Sequence, residues 1–177
     1  MKKTAPYGSW KSPITADLIV SGAVGLSQPA IDGADIYWVE LRPAESGRQV
    51  IVKRNQQGEL SDINPQPLNA RTRVHEYGGG DYLVSNGKVY FSNFADQRLY
   101  KQVAGEAPQP LTPAAEMRYA EAIFDGARDR LICVREDHSD PGREAINALV
   151  SLSASGNHGC GEILVTGNDF YSTPQLS

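Results

Sequence analysis

The feature that most constrains the fold is a motif that recurs along the chain, a tight turn followed by a short apolar strand. It occurs at residues 33–38, 86–91 and 127–133. Ile36 and Val89 hold equivalent places 53 positions apart, and Leu131 follows 42 positions later. One four-stranded propeller blade occupies about 40–50 residues. The spacing therefore predicts a series of four-stranded β-sheets.

The strand segments themselves are short, rich in β-branched and aromatic residues, and joined by brief loops. They lie at residues 36–41, 49–53, 82–84, 88–91, 99–103, 110–112, 120–124, 130–134, 146–150 and 163–165. Asn86-Gly87 between two of them favours the positive φ values of a tight hairpin. This pattern predicts an all-β, antiparallel protein. A short helix is expected only at residues 14–21, with Ser12 as its cap and Pro13 at its first position.

These strands predict a partial, open β-propeller. Its three four-stranded blades are expected at residues 23–65, 75–113 and 117–167, and residues 169–177 are expected to be the first strand of a fourth blade. Propellers usually close with about 4–8 blades, because closure removes exposed sheet edges. Three blades and one strand do not close a ring. Two alternatives follow: the chain is a piece of a longer protein, or copies associate to cover the open edges.

Composition excludes several classes of protein. Seventeen Lys and Arg residues against 21 Asp and Glu give a formal net charge of −4, which opposes a nucleic-acid or anionic-membrane surface. No segment has the roughly 20 apolar residues of a membrane span. The chain after Met1-Lys2-Lys3 is polar and broken by prolines, so no signal peptide and a cytoplasmic location are expected. Cys133 and Cys160 are expected to be reduced thiols.

Most motifs of catalysis and cofactor binding are absent from the sequence. No Gly-x-Ser-x-Gly elbow, phosphate-binding loop or dinucleotide fingerprint occurs, and no cofactor is predicted. His75-Glu76 begins like a zinc-protease helix, but the second histidine of that motif would stand at Gly79. No metal site is predicted there.

Two further histidines lie among residues that resemble parts of a site. His138, Ser139 and Asp140 are the residue types of a catalytic triad, but triads assemble from separate parts of a fold, and a solvated turn is expected here. His158 and Cys160 offer too few ligands to close a zinc site. The charged run at residues 135–138 is interpreted as a strand end. The aromatic residues expected to pack in the core or between blades are Trp10, Tyr37, Trp38 and Tyr90.

The segment at residues 71–80 is the strongest candidate for a site. Its three successive glycines let another backbone or a ligand come close. Arg71, Arg73, His75 and Glu76 concentrate charge just before an expected innermost strand, where propellers line a central channel. Two interpretations stand: a ligand-binding cluster, or a glycine bulge with structural salt bridges. The same alternatives apply to Asp81 and Tyr82.

Five stretches of the sequence resemble the propeller of the prolyl oligopeptidase family. They are residues 71–80, 89–100, 118–120, 133–138 and 167–171, and the likeness runs in order from about Ala5 to Ser177. It is specifically to the bacterial dipeptidyl-aminopeptidase and acylaminoacyl-peptidase-like branch. Members of this family carry an N-terminal propeller followed by an α/β-hydrolase domain with the Ser, Asp and His of catalysis.

The resemblance implies that this chain is the first part of such a propeller, without the hydrolase domain, and is non-catalytic alone. The propeller would gate short peptide substrates by size and help to recognise them, with Glu76, Arg73, Arg71 and His75 as the binding residues. The intact serine peptidase would release N-terminal residues or acyl-amino acids. The alternative is a free-standing interaction or ligand-binding protein built from an open array of blades. In both cases the open edges favour self-association.

Overall fold

The computed structural model describes residues 4–9, 11–21, 23–156 and 159–177, and the structure is nearly all β. The elements in chain order are the helix α1 (Ala16–Val20) and the strands β1 (Gly25–Asp32), β2 (Asp35–Arg42), β3 (Arg48–Arg54), β4 (Leu60–Asp62), β5 (Tyr82–Ser85), β6 (Lys88–Ser92), β7 (Leu99–Val103), β8 (Gln109–Pro110), β9 (Met117–Asp125), β10 (Arg130–Asp137), β11 (Ile146–Ser153) and β12 (Glu162–Thr166). Trp10 and His158, each named in a sequence prediction, lie outside the described residues.

The strands form three antiparallel sheets of four strands each. Sheet 1 contains β1 to β4, sheet 2 contains β5 to β8 and sheet 3 contains β9 to β12, each in chain order. The first strands lie side by side, since β1 contacts β5 and β5 contacts β9. The predicted all-β, antiparallel fold with four-stranded sheets is therefore confirmed. Each sheet lies inside a range expected for a blade, and the division into propeller blades stays a prediction.

The predicted Asn-Gly hairpin joins β5 and β6. Asn86 and Gly87 have φ values of 51° and 72°, as a tight hairpin turn requires. The carboxylate of Asp32, at the end of β1, accepts hydrogen bonds from both backbone N–H groups, at 3.1 and 2.6 Å. The hairpin of sheet 2 is thus attached to the neighbouring hairpin of sheet 1.

The N-terminal helix is shorter than the sequence predicted, and a different residue caps it. The helix begins at Ala16, and the hydroxyl of Thr15 accepts the N–H of Leu18 at 3.1 Å. Ser12, the predicted cap, instead accepts the N–H of Ile14 at 3.0 Å in a local turn. Short hydroxyl side chains compete in this way for nearby backbone donors. Among the described residues no helix has both the length and the apolar character needed to cross a bilayer.

The core consists mainly of two clusters, one on each face of sheet 2. Val89 and Phe91 of β6 pack with Tyr37 of sheet 1, whereas Tyr90 between them packs with Leu131 of sheet 3. Side chains alternate between the two faces of a strand, so β6 contributes to both clusters. Tyr37 and Tyr90 are buried, as predicted for core aromatics. Trp38 is half-buried, and its indole N–H donates to Glu40 at 3.1 Å.

The predictions for the cysteines and for the last residues have different outcomes. Cys133 and Cys160 form no disulfide, in agreement with the expected thiols. Residues 169–177, expected to be the first strand of a fourth blade, carry no strand pairing, and that assignment stays a prediction. They contact sheet 3, where the N–H of Thr173 donates to the carboxylate of Glu121 on β9.

We predict that the cluster between sheets 2 and 3 contributes strongly to the stability of this chain. Leu131→Ala removes a fully buried side chain and should lower the free energy of unfolding by about 2–5 kcal/mol. Leu60→Ala is the matched control, because Leu60 is 63% exposed, and it should change that free energy by about 0.5 kcal/mol or less. Urea unfolding followed by circular dichroism measures both. Equal losses in the two variants would contradict this assignment of the core.

Candidate functional site

The segment at residues 71–80 is anchored between sheets 2 and 3 by its buried residues. The N–H of Thr72 donates to the carboxylate of Asp81 at 2.7 Å. The hydroxyl of Thr72 donates to the carbonyl oxygen of Tyr119 on β9, also at 2.7 Å. Val74 is buried in a small cluster with Ala120 of β9. Alternate residues of the segment are thus fixed, and those between them are left to face outward.

The glycines of this segment allow a close approach of β9. A Cβ added to Gly80 would lie 3.3 Å from the Cα of Glu121. The carbonyl oxygen of Gly80 accepts the N–H of Glu121 at 2.9 Å. Of the two partners that the sequence allowed for the glycine run, backbone or ligand, the structure places a neighbouring backbone there.

His75 and Glu76 form a turn with unusual backbone geometry. Their φ values are 56° and 61°, in the left-handed region that residues other than glycine rarely adopt. The N–H of Glu76 donates to the carbonyl oxygen of Arg73 at 3.0 Å. The N–H of His75 donates to the buried carboxylate of Glu136 at 2.7 Å. Backbone strain of this kind occurs often at functional sites.

An ion pair holds the exposed Glu76 carboxylate. The Arg118 Nη1 atom donates to Glu76 Oε1 at 2.5 Å and to the carbonyl oxygen of Arg73 at 2.9 Å. The hydrogen bond from Arg118 lowers the pKa of Glu76 below its ordinary value. The Glu76 side chain is nevertheless 72% exposed, so its carboxylate stays accessible to a ligand.

Beside this ion pair lies a cavity of about 610 Å³, which we call the acid pocket. Its charged lining consists of four carboxylates and one guanidinium, that of Arg143, and two histidines also line it. The lining residues are His75, Glu76, Tyr77, Glu136, His138, Arg143, Glu144, Ala145, Asn147, Asp169 and Phe170. Such an excess of carboxylates favours a cationic group. Tyr77 and Phe170 are exposed and add apolar surface to the pocket.

The structure separates the four residues predicted to bind substrate. His75 and Glu76 line the acid pocket. Arg73 lines a smaller neighbouring cavity of about 200 Å³. Arg71 lines neither of these two cavities, and both arginines lie over the ring of Phe94, at 5.0 Å for Arg71 and 5.5 Å for Arg73.

Sequence reasoning missed part of this pocket. Glu136 and His138 line it, although their run was interpreted only as a strand end. The position of Glu136 gave one indication of a role in a site. A charged residue inside a strand that is buried over most of its length requires a partner. His138 bonds to Glu136 at 2.9 Å, while Ser139 and Asp140 are exposed, as expected for a solvated turn.

Asp81 and Tyr82 have structural partners. Asp81 is buried, and it accepts a hydrogen bond from the side-chain amide of Gln28 at 2.6 Å. Burial raises the pKa of Asp81 above its ordinary value. The hydroxyl of Tyr82 donates to the carbonyl oxygen of Gln28 at 2.7 Å. Both residues therefore connect sheet 2 to sheet 1.

Solved structures of peptidases resemble the chain over most of its length. A puromycin-hydrolysing peptidase of Mycobacterium tuberculosis is 36% identical with a TM-score of 0.82, over 98% of this chain and 29% of that one. Puromycin hydrolase is 34% identical with a TM-score of 0.74, over 88% of this chain and 26% of that one. A mutant of puromycin hydrolase complexed with PGG has the same identity and TM-score, over 86% and 25%. No family model and no curated protein matches the chain.

The fold and the comparisons together define a class of protein. It is an all-β domain built from consecutive four-stranded sheets, of the kind found in peptidases. These similar proteins are puromycin-hydrolysing peptidases of the prolyl oligopeptidase family, the family that the motifs of this chain resemble. The chain spans between 25% and 29% of the length of the three similar chains.

We predict that Arg118 sets the pKa of Glu76. Arg118→Gln should raise the pKa of Glu76 toward its ordinary value, because it removes the cation that stabilises the ionised carboxylate. Since the fold lowers this pKa, the stability that the pair contributes is present above the ordinary glutamate pKa. It is lost as the pH falls through the lowered value. Carboxyl ¹³C NMR titration measures the shift.

Arg143→Gln is the control for this titration. Arg143 also lines the acid pocket, but its guanidinium is 80% exposed and lies 3.5 Å from Asp140. Its loss should leave the pKa of Glu76 nearly unchanged. An equal shift in the two variants would show that Arg118 has no special pairing with Glu76.

Proposed function

We propose that this chain is the part of a peptidase that admits short peptide substrates and binds their free N-terminus. Bond cleavage would take place in another part of the enzyme. The observation that carries the proposal is the acid pocket, with the exposed Glu76 carboxylate at its edge. The resemblance to peptidases over nearly the whole chain supports the same function.

The charges of the pocket fit a peptide N-terminus. An α-amino group is cationic at neutral pH, since its pKa is about 8. Glu76 Oε1 accepts from Arg118, and no described residue donates to Glu76 Oε2, so this second oxygen is open to the ammonium group of a ligand. Phe170 offers apolar surface for the first side chain of the peptide.

Nothing in the described chain provides the serine nucleophile and base of such an enzyme. His138 bonds to Glu136, and no described serine hydroxyl forms a hydrogen bond with His75 or His138. A separate catalytic part is therefore included in the proposal. Gating by size and a dipeptidyl-aminopeptidase specificity are extensions of it that derive from the family resemblance. An acylaminoacyl specificity, which the same resemblance implied, is the alternative, because an acylated N-terminus carries no ammonium group.

The names of the similar proteins suggest a concrete ligand. Those proteins hydrolyse puromycin, which has a free α-amino group on an aromatic amino acid. We extend this to the present chain as a ligand class, namely small amides and peptides with a free amino group next to an apolar side chain.

The proposal predicts that binding depends on the free amino group and on Glu76. Puromycin and an apolar dipeptide should bind the chain, and their N-acetyl forms should bind about tenfold more weakly or not at all. Glu76→Gln should remove this preference, because it takes away the charge that faces the ammonium group. Isothermal titration calorimetry and amide chemical shifts measure the affinity.

Glu162→Gln is the matched control for that experiment. Glu162 is an exposed glutamate on β12, outside the acid pocket, so its loss should not change the affinity. The proposal is wrong if acetylated and free ligands bind equally well to the wild-type chain.

We also propose that the chain self-associates through the outer strand of sheet 3. All five residues of β12 are exposed, among them the apolar Ile163, Leu164 and Val165. The outer strands β4 and β8 have only three and two residues. A long apolar edge strand offers unpaired backbone groups to another chain.

Sedimentation equilibrium tests this association. The weight-average mass of the wild-type chain should rise with concentration, and Leu164→Lys should abolish the rise, because a charge on an edge strand opposes pairing. Ser61→Lys places the same charge on the exposed outer strand of sheet 1 and should have no effect. A wild-type mass equal to the monomer at every concentration would exclude the association.

A further inference from the structure

Glu136 lies at the junction of the groups that form the acid pocket. Its side chain is 5% exposed, and each of its carboxylate oxygens has a partner. Oε1 accepts the N–H of His75 at 2.7 Å, and Oε2 lies 2.9 Å from Nε2 of His138. Arg118 Nη1 lies 3.8 Å from Oε2. A buried carboxylate is costly unless it is paired in this way.

The partners of Glu136 come from different parts of the chain. Glu136 itself is on β10 and Arg118 on β9, whereas His75 belongs to the segment that leads into sheet 2. His75 and Glu76 both have left-handed φ values, which non-glycine residues adopt only when their surroundings hold them. A hydrogen bond from the N–H of His75 to a charged acceptor stabilises that conformation more than a neutral acceptor would.

We propose that Glu136 is a positioning residue for the acid pocket. Its carboxylate holds the turn of His75 and Glu76 against sheet 3, and it places the Glu76 carboxylate beside Arg118 at the edge of the pocket. Because both of its oxygens are paired within the chain and its side chain is 5% exposed, Glu136 affects ligand binding through Glu76 rather than by contact with the ligand. This effect on binding depends on the proposed function, whereas the effect on the turn does not.

Three substitutions separate the contributions of Glu136. Glu136→Ala removes both hydrogen-bond acceptors. Glu136→Gln keeps one carbonyl oxygen for the N–H of His75 but loses the negative charge. Glu136→Asp keeps the charge and shortens the reach by one methylene, so it serves as the second variant if Glu136→Ala does not fold.

Asp125 provides a matched control in the same sheet. It is a buried carboxylate at the other end of β9, paired with Arg130 at 2.9 Å and with Arg128 at 3.2 Å. Asp125→Ala should therefore disturb sheet 3 about as much as Glu136→Ala does, but far from the pocket. A change that both variants produce reflects the sheet, and a change that only Glu136→Ala produces reflects the turn.

Amide hydrogen exchange at His75 tests the turn directly, without a ligand. Exchange should be about tenfold faster or more in Glu136→Ala and in Glu136→Asp, because the His75 N–H loses its acceptor. Glu136→Gln should lose less protection than Glu136→Ala, because its carbonyl oxygen still accepts the His75 N–H as a weaker, neutral acceptor. Asp125→Ala should keep protection close to that of the wild-type chain. Wild-type protection of His75 in Glu136→Ala, or in Glu136→Asp if that variant replaces it, would overturn the proposal.

A double-mutant cycle with Glu76→Gln tests the effect on binding. Glu136→Ala should weaken the binding of the free-amino dipeptide in the wild-type background and have no further effect in the Glu76→Gln background. Equal losses in both backgrounds would show that Glu136 acts independently of Glu76. If the wild-type chain binds no peptide, the proposed function fails, and the exchange of His75 still decides whether Glu136 holds the turn.

Discussion

The whole structure depends on the burial of sheet 2 on both of its faces. Val89 and Phe91 pack toward sheet 1, and Tyr90 packs toward sheet 3, so one strand contributes to both apolar clusters. Burial of apolar surface is the dominant favourable term in folding, and here it fixes the three sheets relative to one another. The side-by-side arrangement of β1, β5 and β9 follows from this packing.

The candidate site uses the junction between two of these sheets. Thr72 and Val74 are buried there, and the chain between them and β5 turns outward at His75 and Glu76. Sheet 3 supplies the opposite wall through Glu136 and the residues near it. Since neither sheet contains the whole pocket, its geometry depends on the contact between the sheets as much as on the charged residues.

The sequence predicted most of the strands, but not the contacts across the sheets. Alternating apolar residues and the Asn86-Gly87 turn depend on local chemistry, which a single sequence displays. The bond between His75 and Glu136 joins residues 61 positions apart, and no periodicity indicates such a pair. The same limit applies to Arg71, because nothing in its local sequence indicates that its guanidinium lies over the ring of Phe94.

One kind of hydrogen bond occurs twice, between a side chain on the first strand of a sheet and a backbone N–H about one sheet later in the chain. It extends the repeat seen in the sequence. Gln28 on β1 and Glu121 on β9 have φ values of 52° and 55°, at irregularities of their strands. The side chain of Gln28 accepts the N–H of Asp81, 53 positions later, and the side chain of Glu121 accepts the N–H of Thr173, 52 positions later. Asp81 immediately precedes the first strand of the next sheet. Thr173 has the same relation to sheet 3, so the hydrogen bond that links Asp81 to the preceding sheet has a counterpart in residues 169–177, the segment for which the first strand of a fourth blade stays a prediction.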